Sequence, residues 1–589
     1  AAQAASMTVS VSQPPSTATY VKGASNVDVV AYSVVAGAAS KLTVSSLKFT
    51  AWGDADGTWS DEHDLTITDK VTSCSVYDAK TGGLVDGPES FNSSGRITFN
   101  GFNWIVPAGE TGKVLLRCNF ANVSQSTGAD DDYVFFLDND ESDDGSTTSA
   151  NAITAVDMDS NTVTDTGLTD DEANNPDGSE GVIISIVNSG VLTFALAGDN
   201  PTSTIILSNS TGVLASKFKV TATKEAFTIK KLSVKSDDNS TLNGVTNIVL
   251  EYKDKAGVTK TASGSLASAV VTFSNLDLYV AKDTPTYINV KVNTGDVTTD
   301  NAASGDVVQL ELHMDEVNDN QFEAVGESSG STLDDDDQDA SVSGAISGMG
   351  GGDSTDDNDT DLYLNPGTLS EIRKTKPTFS LASGSPSGAG IPGLAEVFRF
   401  NVSADSRGYV TLDKVTFKMT STDNTGTPTQ WNDCDTDAAA GINLAEATDM
   451  EIYNAAAPNI ALDEGTTPWT WFKSTGAACN TTAADLTYFV VNFGASGGSI
   501  ASEEIGAGAT KTYVLRLNTT GASAANDDSI RIDIPSQAEI NSLSVGSGTD
   551  LDDDAVVQWD DANLTNSDAL DIDGDFVDNL AITGGTIVY

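Results

Sequence analysis

The sequence predicts an all-β protein built from three tandem two-sheet sandwich units. Three observations carry this. One series of short apolar strands occurs three times in the same order and at similar spacing. The strands alternate with period two and are rich in Val, Ile, Phe and Thr. Gly, Asn, Asp and Ser punctuate them, as turns require.

Taken in chain order, an early strand reads Tyr32–Ala36, Phe218–Ala222 and Phe400–Ala404 in the three copies. A second strand follows at Leu42–Phe49, Phe227–Val234 and Val410–Phe417. A third ends in tyrosine, at Tyr77, Tyr252 and Tyr453. A later strand is Lys113–Asn119, Tyr287–Asn293 and Tyr513–Asn518. The last follows an acidic turn, at Asp131–Leu137, Gly305–Leu312 and Asp527–Ile534. Alternation places Phe218 and Val220, and likewise Phe400 and Val402, on an inner face. About seven strands per copy suit a two-sheet sandwich.

A chain of 589 residues exceeds one core. Apolar residues make up 39%, enough for packed interiors. The formal charge of −55 argues against nucleic acid and against anionic membrane surfaces. Such a charge calls for screening by salt or neutralisation by bound cations. Halophilic adaptation is one reading. Clustering of the acidic residues favours local cation sites. No apolar run reaches the roughly 18–20 residues of a membrane helix, so no membrane insertion is expected. The small-residue stretch Ala1–Ser6 reads as an end left by signal-peptide removal.

The four cysteines fall in pairs within a copy. We expect bridges Cys74–Cys118 and Cys434–Cys479, which suit an oxidising, extracytoplasmic compartment. The alternative is four buried thiols.

This pattern of strand count, spacing and repetition resembles the immunoglobulin-like tandem domains of bacterial cell-surface proteins, including surface-layer and extracellular filament subunits. The resemblance implies immunoglobulin-like β-sandwich domains at 1–180, 181–361 and 362–579, the last with an insert, joined by Asp-rich interdomain segments. The antibody-type Cys…Trp…Cys spacing is absent, as are a surface-layer anchor motif and a Leu-Pro-x-Thr-Gly sorting signal.

The Asp-rich runs span Asp138–Asp177, Asp315–Asp361 and Asp550–Asp578. Calcium takes six to eight oxygens from closely spaced carboxylates and carbonyls. Asp571, Asp573, Asp575 and Asp578 form the best single candidate for a calcium site. Asp138, Asp140 and Asp144 form another: Asp140, Ser142, Asp144 and Gly145 match half an EF-hand loop, but Asn151 stands where its bidentate Glu belongs. Asp54 and Asp56 start a third cluster. The alternative is a set of solvated acidic loops.

A glycine-centred apolar stretch occurs at Ile186–Phe194, Tyr363–Ser370 and Ile582–Tyr589. The first two copies stand at the start of a β-rich unit; the third has none behind it. The expectation is that 580–589 is an orphan strand for subunit contact. Ile582, Ile587 and Tyr589 of one copy would pair near Met7 and Val9 of the next, giving head-to-tail assembly. The alternative is an edge strand folded on its own unit.

No credible active site is legible, so no enzyme is expected. Only His63 and His313 could serve a Ser-His-Asp arrangement. Gly326–Gly330 fits Gly-x-Ser-x-Gly as a string but sits in a polar loop. Asn-x-Ser/Thr sequons, among them Asn92, Asn122, Asn209, Asn239, Asn401, Asn480 and Asn518, permit glycosylation. Trp469 and Trp471 near Phe472 read either as local core or as a sugar platform. The expectation is a secreted structural protein that self-assembles at the cell surface as a filament or layer with calcium, its partners being other copies of itself. A monomeric adhesin or glycan-binding stalk, with cell-surface glycans as partners, is the competing class.

Overall fold

The computed structural model describes residues 4–55, 65–124, 131–137, 152–166, 181–236, 242–266, 269–297, 305–315, 321–334, 345–349, 361–424, 432, 434, 449–462, 469–479, 485–493, 503–543, 551, 556–561, 577 and 579–589. Among them the chain is nearly all strand; the two α-helices are the single turns Ile67–Lys70 and Gln537–Asn541. Buried apolar side chains gather into three separate cores.

The first core lies between two sheets. One runs Met7–Val11, Val27–Ala36, Thr111–Phe120, Val71–Asp78, Leu84–Glu89. In the other, Leu42–Asp54, Asp131–Phe136, Val182–Val187 and Ala18–Val21 lie side by side. Among the principal strands, first, second, fifth and fourth make one sheet, and third, sixth and seventh make the other. Apart from Arg96–Val106, which pairs with Leu42–Thr50 in the second sheet, that is the immunoglobulin order. The second core repeats it. Val191–Leu196, Val213–Thr223, Thr286–Thr294 and Val245–Lys253 face Phe227–Ser236, Leu310–Asp315 and Asp361–Leu364. In the third, Pro377–Leu381, Leu394–Ala404, Thr510–Asn518 and Met450–Asn454 face Val410–Thr422, Ser529–Ile534 and the paired pieces Ile582–Thr583 and Ile587–Val588. The alternation expected of the early strands holds, since Phe218, Val220, Phe400 and Val402 are fully buried.

In its second copy the glycine-centred stretch has both its pieces, Asp361–Leu364 and Ser370–Arg373, paired with strands of the second unit, whereas its first copy is divided between units. Residues before the glycine close the unit behind it: Val182–Ile186 pair antiparallel with Asp131–Phe135. Residues after it open the next, as Val191–Leu196 pair with Phe218–Thr223. The last copy, like the second, closes its unit with pieces on both sides of the glycine, in its own chain. Ile582 pairs with Ile534, and Ile587 pairs with Ile530 and, in parallel, with Gly388. Ile582, Ile587 and Tyr589 are only 5–7% exposed and belong to the third core. Met7 and Val9 are buried against Ala36 and Val34 of their own unit. In this chain the strand is thus an edge strand folded on its own unit, the alternative reading. Without it the sixth strand of the third unit would carry an unpaired edge.

The Asp-rich runs also take a different place. The first connects Asp131–Phe136 to Val182–Val187, which are neighbours in one sheet. The second likewise connects Leu310–Asp315 to Asp361–Leu364. They are excursions within a unit rather than the links between units. The links are short: Asn188–Gly190 separates Val182–Val187 from Val191–Leu196, and Lys374–Lys376 follows Ser370–Arg373, a second closing piece that pairs with Val307–Val308 and Ile205–Leu207.

Each excursion returns one strand to the start of the third principal strand. Val156 lies opposite Thr43, Gly326 opposite Phe227, and Asp560 opposite Thr411. This edge lies at the end of each unit where its opening strand begins, so in the second and third units it faces the preceding unit.

Candidate functional site: the junction between units

The best-defined polar constellation sits where the second unit meets the first. Glu225 follows Lys224, whose φ of 71° turns the chain between the second and third strands. Its carboxylate is 2% exposed. Oε1 accepts from Gly190 N at 2.9 Å and from Ser329 Oγ at 2.7 Å. Oε2 accepts from Ser328 N at 3.0 Å and Ser329 N at 2.9 Å. Hydrogen bonds to an ionised acceptor are the strong ones, and four of them tie the linker glycine to the excursion turn. Gly190 must be glycine here: a Cβ would lie 2.6 Å from Thr223 O and 2.8 Å from Glu225 Cγ.

The same turn reaches the first unit. Ser331 Oγ donates to Asn188 O at 2.8 Å. A Cβ at Gly23 would meet Ser328 O at 2.8 Å, so this turn sits hard against the first unit. Lys282 Nζ lies 5.9 Å over the Tyr20 ring, a cation–π contact between the units. Glu327 accepts from Lys255 and Thr228, and these bonds, the lysine's first, hold its carboxyl below the ordinary range.

The second junction is bonded through other groups. Asp561, directly after the returning strand, accepts from Lys374 N at 3.1 Å. Thr375 Oγ1 donates to Gly408 O at 3.0 Å. Ile205 and Leu207 of the second unit pair in parallel with Glu371–Arg373 and pack on the third core.

Neither string nor composition singled out Glu225. Gly326–Gly330, a chance match to a nucleophile motif, proves to be the clamp's turn. A signal was present in the sequence: a lone Glu between a strand end and Phe227, opposite a serine-flanked glycine loop. Replacing Glu225 by Ala leaves four donors without their acceptor. We expect a loss on the order of 3 kcal/mol and faster proteolysis at Asn188–Gly190, with Glu225→Gln intermediate. Equal cleavage rates in wild type and Glu225→Ala would refute the clamp.

The remaining expected sites fare unevenly. Both disulfides form: Cys74–Cys118 joins directly opposed residues of adjacent strands, and Cys434–Cys479 tethers the third unit's insert. Asp138, Asp140, Asp144, Asp56, Asp571, Asp573, Asp575 and Asp578 lie outside the described residues. Asp54 is buried, in register with Asp132. No group of three or more His, Cys, Asp or Glu able to hold a metal occurs among the described residues. The aromatic group is not a sugar platform. Trp469 and Phe472 are buried, and Trp471 donates its indole N–H to Met450 Sδ at 3.0 Å. Their strand pairs with Leu486–Val491, and Trp471, partly buried, packs against the third core.

No family model matches the chain, and no curated protein does. Solved structures give faint likenesses. A putative membrane-anchored protein from Corynebacterium diphtheriae is 10% identical over 90% of each chain, with a TM-score of 0.19. Human CDH23 EC21-23 is 10% identical over 69% of this chain and 86% of its own, at 0.14. The pilus backbone RrgB of Streptococcus pneumoniae is 10% identical over 56% and 96%, at 0.12. Scores this low carry no argument about this chain.

Proposed function

We propose that the protein is an extracellular structural protein of the cell surface, in which three sandwich units butt end to end as a stiff spacer that associates with further copies of itself. The observation that carries this reading is the clamped junction, with a three-residue linker held by Glu225 and the turn at Ser328–Ser329. A flexible tether would use long polar linkers instead. Two disulfides support an oxidising compartment. Burial of Trp469 removes the feature that favoured a glycan-binding reading.

Calcium belongs to the same proposal, because the Asp-rich runs concentrate like charge that cations would relieve. Solution scattering on the purified chain tests both parts. Three units whose longest strands run 13, 11 and 13 residues, at ~3.3 Å each, should give an extended particle on the order of 110–130 Å long. Added calcium should narrow the distance distribution, and a chelator should broaden it. A compact particle, or one with a broad spread of inter-unit distances in calcium, overturns the spacer reading. Identical curves with calcium and chelator overturn the cation.

A further inference from the structure

Charge is spread unevenly along this chain. Residues 181–297 hold eleven lysines and nine acidic residues, a formal +2. The remaining residues hold 19 basic and 76 acidic groups, a formal −57. Four of the lysines share one surface of the second unit. It is the outer face of the sheet that contains Val213–Thr223, Thr286–Thr294 and Val245–Lys253. Alternation sets this face. Phe218, Val220, Ile288, Val290 and Tyr252 turn into the core, so Lys217, Lys219, Tyr287, Lys291 and Lys253 turn outward.

The register gathers them. Lys219 stands opposite Tyr287. Glu251 stands opposite Asn289, which puts Lys253 on the other side of Tyr287. Lys217 Nζ lies 5.0 Å over the Tyr287 ring, which is 44% exposed. Two of the lysines are neutralised within the unit, Lys217 by Asp199 at 2.5 Å and Lys291 by Glu251 at 2.6 Å. Lys219 and Lys253 make no ion pair among the described residues. The arginines on the matching sheets of the other units are paired: Arg117 with Asp28, Arg399 with Glu396 and Arg516 with Glu451. In a chain with 85 acidic and 30 basic residues, two unpaired lysines beside an exposed tyrosine are a surface complementary to an acidic partner.

The chain itself supplies that chemistry. Asp334–Asp339 has five aspartates in six positions. It starts from Thr332–Asp334, at the edge of the opposite sheet of the same unit. We propose that the Asp334–Asp339 run of one copy docks on the Lys219–Tyr287–Lys253 face of a second copy, side by side. This rests on the structural-protein reading and gives it a contact surface. The two surfaces differ, so the contact is heterologous and propagates laterally. Two chains of −55 also repel as wholes. Salt near 0.15 M, with a screening length of about 8 Å, weakens that repulsion while touching pairs survive; at 1 M, with about 3 Å, the pairs are screened as well. Association should therefore peak at intermediate salt.

Sedimentation velocity on the full chain in chelator tests this, with wild type and a Lys219→Glu, Lys253→Glu double variant. Both side chains face outward, so the variant should melt with the wild type. Wild type should grow with concentration near 0.15 M salt and return to monomer in 1 M salt. The variant should associate at least roughly tenfold more weakly. A carbodiimide, which joins an amine to a carboxylate in direct contact, identifies the occupant. In a mixture of isotope-labelled and unlabelled copies, Lys219 or Lys253 should be joined to Asp334–Asp339 of the other kind. Links confined to one kind would place the run on its own face and overturn the docking. Growth that persists in 1 M salt, a variant that associates like wild type, or a wild type that stays monomeric would each do the same. A monomer retained by polyphosphate through these lysines would assign the face to an anionic polymer instead. A variant that associates normally leaves self-association standing, and a monomeric wild type leaves the extended particle measured by scattering, so the two readings fail separately.

Discussion

Removal of Leu580–Tyr589 is expected to unfold the third unit while sparing the first two. Ile582, Ile587 and Tyr589 are core residues, and each buried side chain of this size contributes about 1.5–3 kcal/mol. Backbone bonds go with them. Tyr589 N donates to Asp528 O at 2.9 Å, Gly388 N to Thr586 O at 2.8 Å, and Gly390 N to Val588 O at 2.8 Å. Asp533 Oδ1 also loses the bond it accepts from Gly584 N. Burial is deep enough to raise the Tyr589 hydroxyl pKa. The total, on the order of 5 kcal/mol or more, rivals the whole stability of an ordinary domain, about 5–15 kcal/mol. Calorimetry should show the third unit's transition lost and the others kept. A truncated chain with an unchanged melting profile would show that this strand is dispensable to its own unit.

The second large effect is expected at the first disulfide. Cys74 and Cys118 are buried and lie opposite each other in the first sheet, 44 residues apart in sequence. Chain entropy alone assigns such a loop about 4 kcal/mol, and measured losses are commonly about 2–5 kcal/mol. A Cys74→Ala, Cys118→Ala double variant should therefore melt roughly 5–15 °C lower in the first unit's transition. Reductant should shift the wild type in the same direction and leave the variant's first transition where it is. A variant that melts with the wild type would mean that the bridge contributes nothing.

Much of the fold was legible because strand periodicity is local. The repeat of Tyr32–Ala36, Phe218–Ala222 and Phe400–Ala404 marks the same buried strand three times, and cysteine spacing within units marked both bridges. Partnership was not legible. Alternation says that Ile582 and Ile587 form a strand with an apolar face, but not which edge receives it. In the first copy the closing and opening halves are separated by only three residues, so they read as one strand. The third copy then looked like a beginning when it is an ending. The Asp-rich runs misled for a related reason: they precede each closing strand in sequence, which places them beside the unit boundary on paper. Glu225 was missed because its four partners come from positions 35 to 104 residues away or from the turn they form.

The parallel pairing of Ala18–Val21 with Ile184–Val187, and of Gly388–Ala389 with Ile587–Val588, joins the entry of a unit to its exit. Tension along the polypeptide would load such a pair lengthwise. Its hydrogen bonds would then share the strain and rupture together, whereas a hairpin pulled at its open end peels one bond at a time. Resistance to pulling is a matter of unfolding rate rather than equilibrium stability. Each unit is therefore wired so that its mechanical lock sits on the line of force.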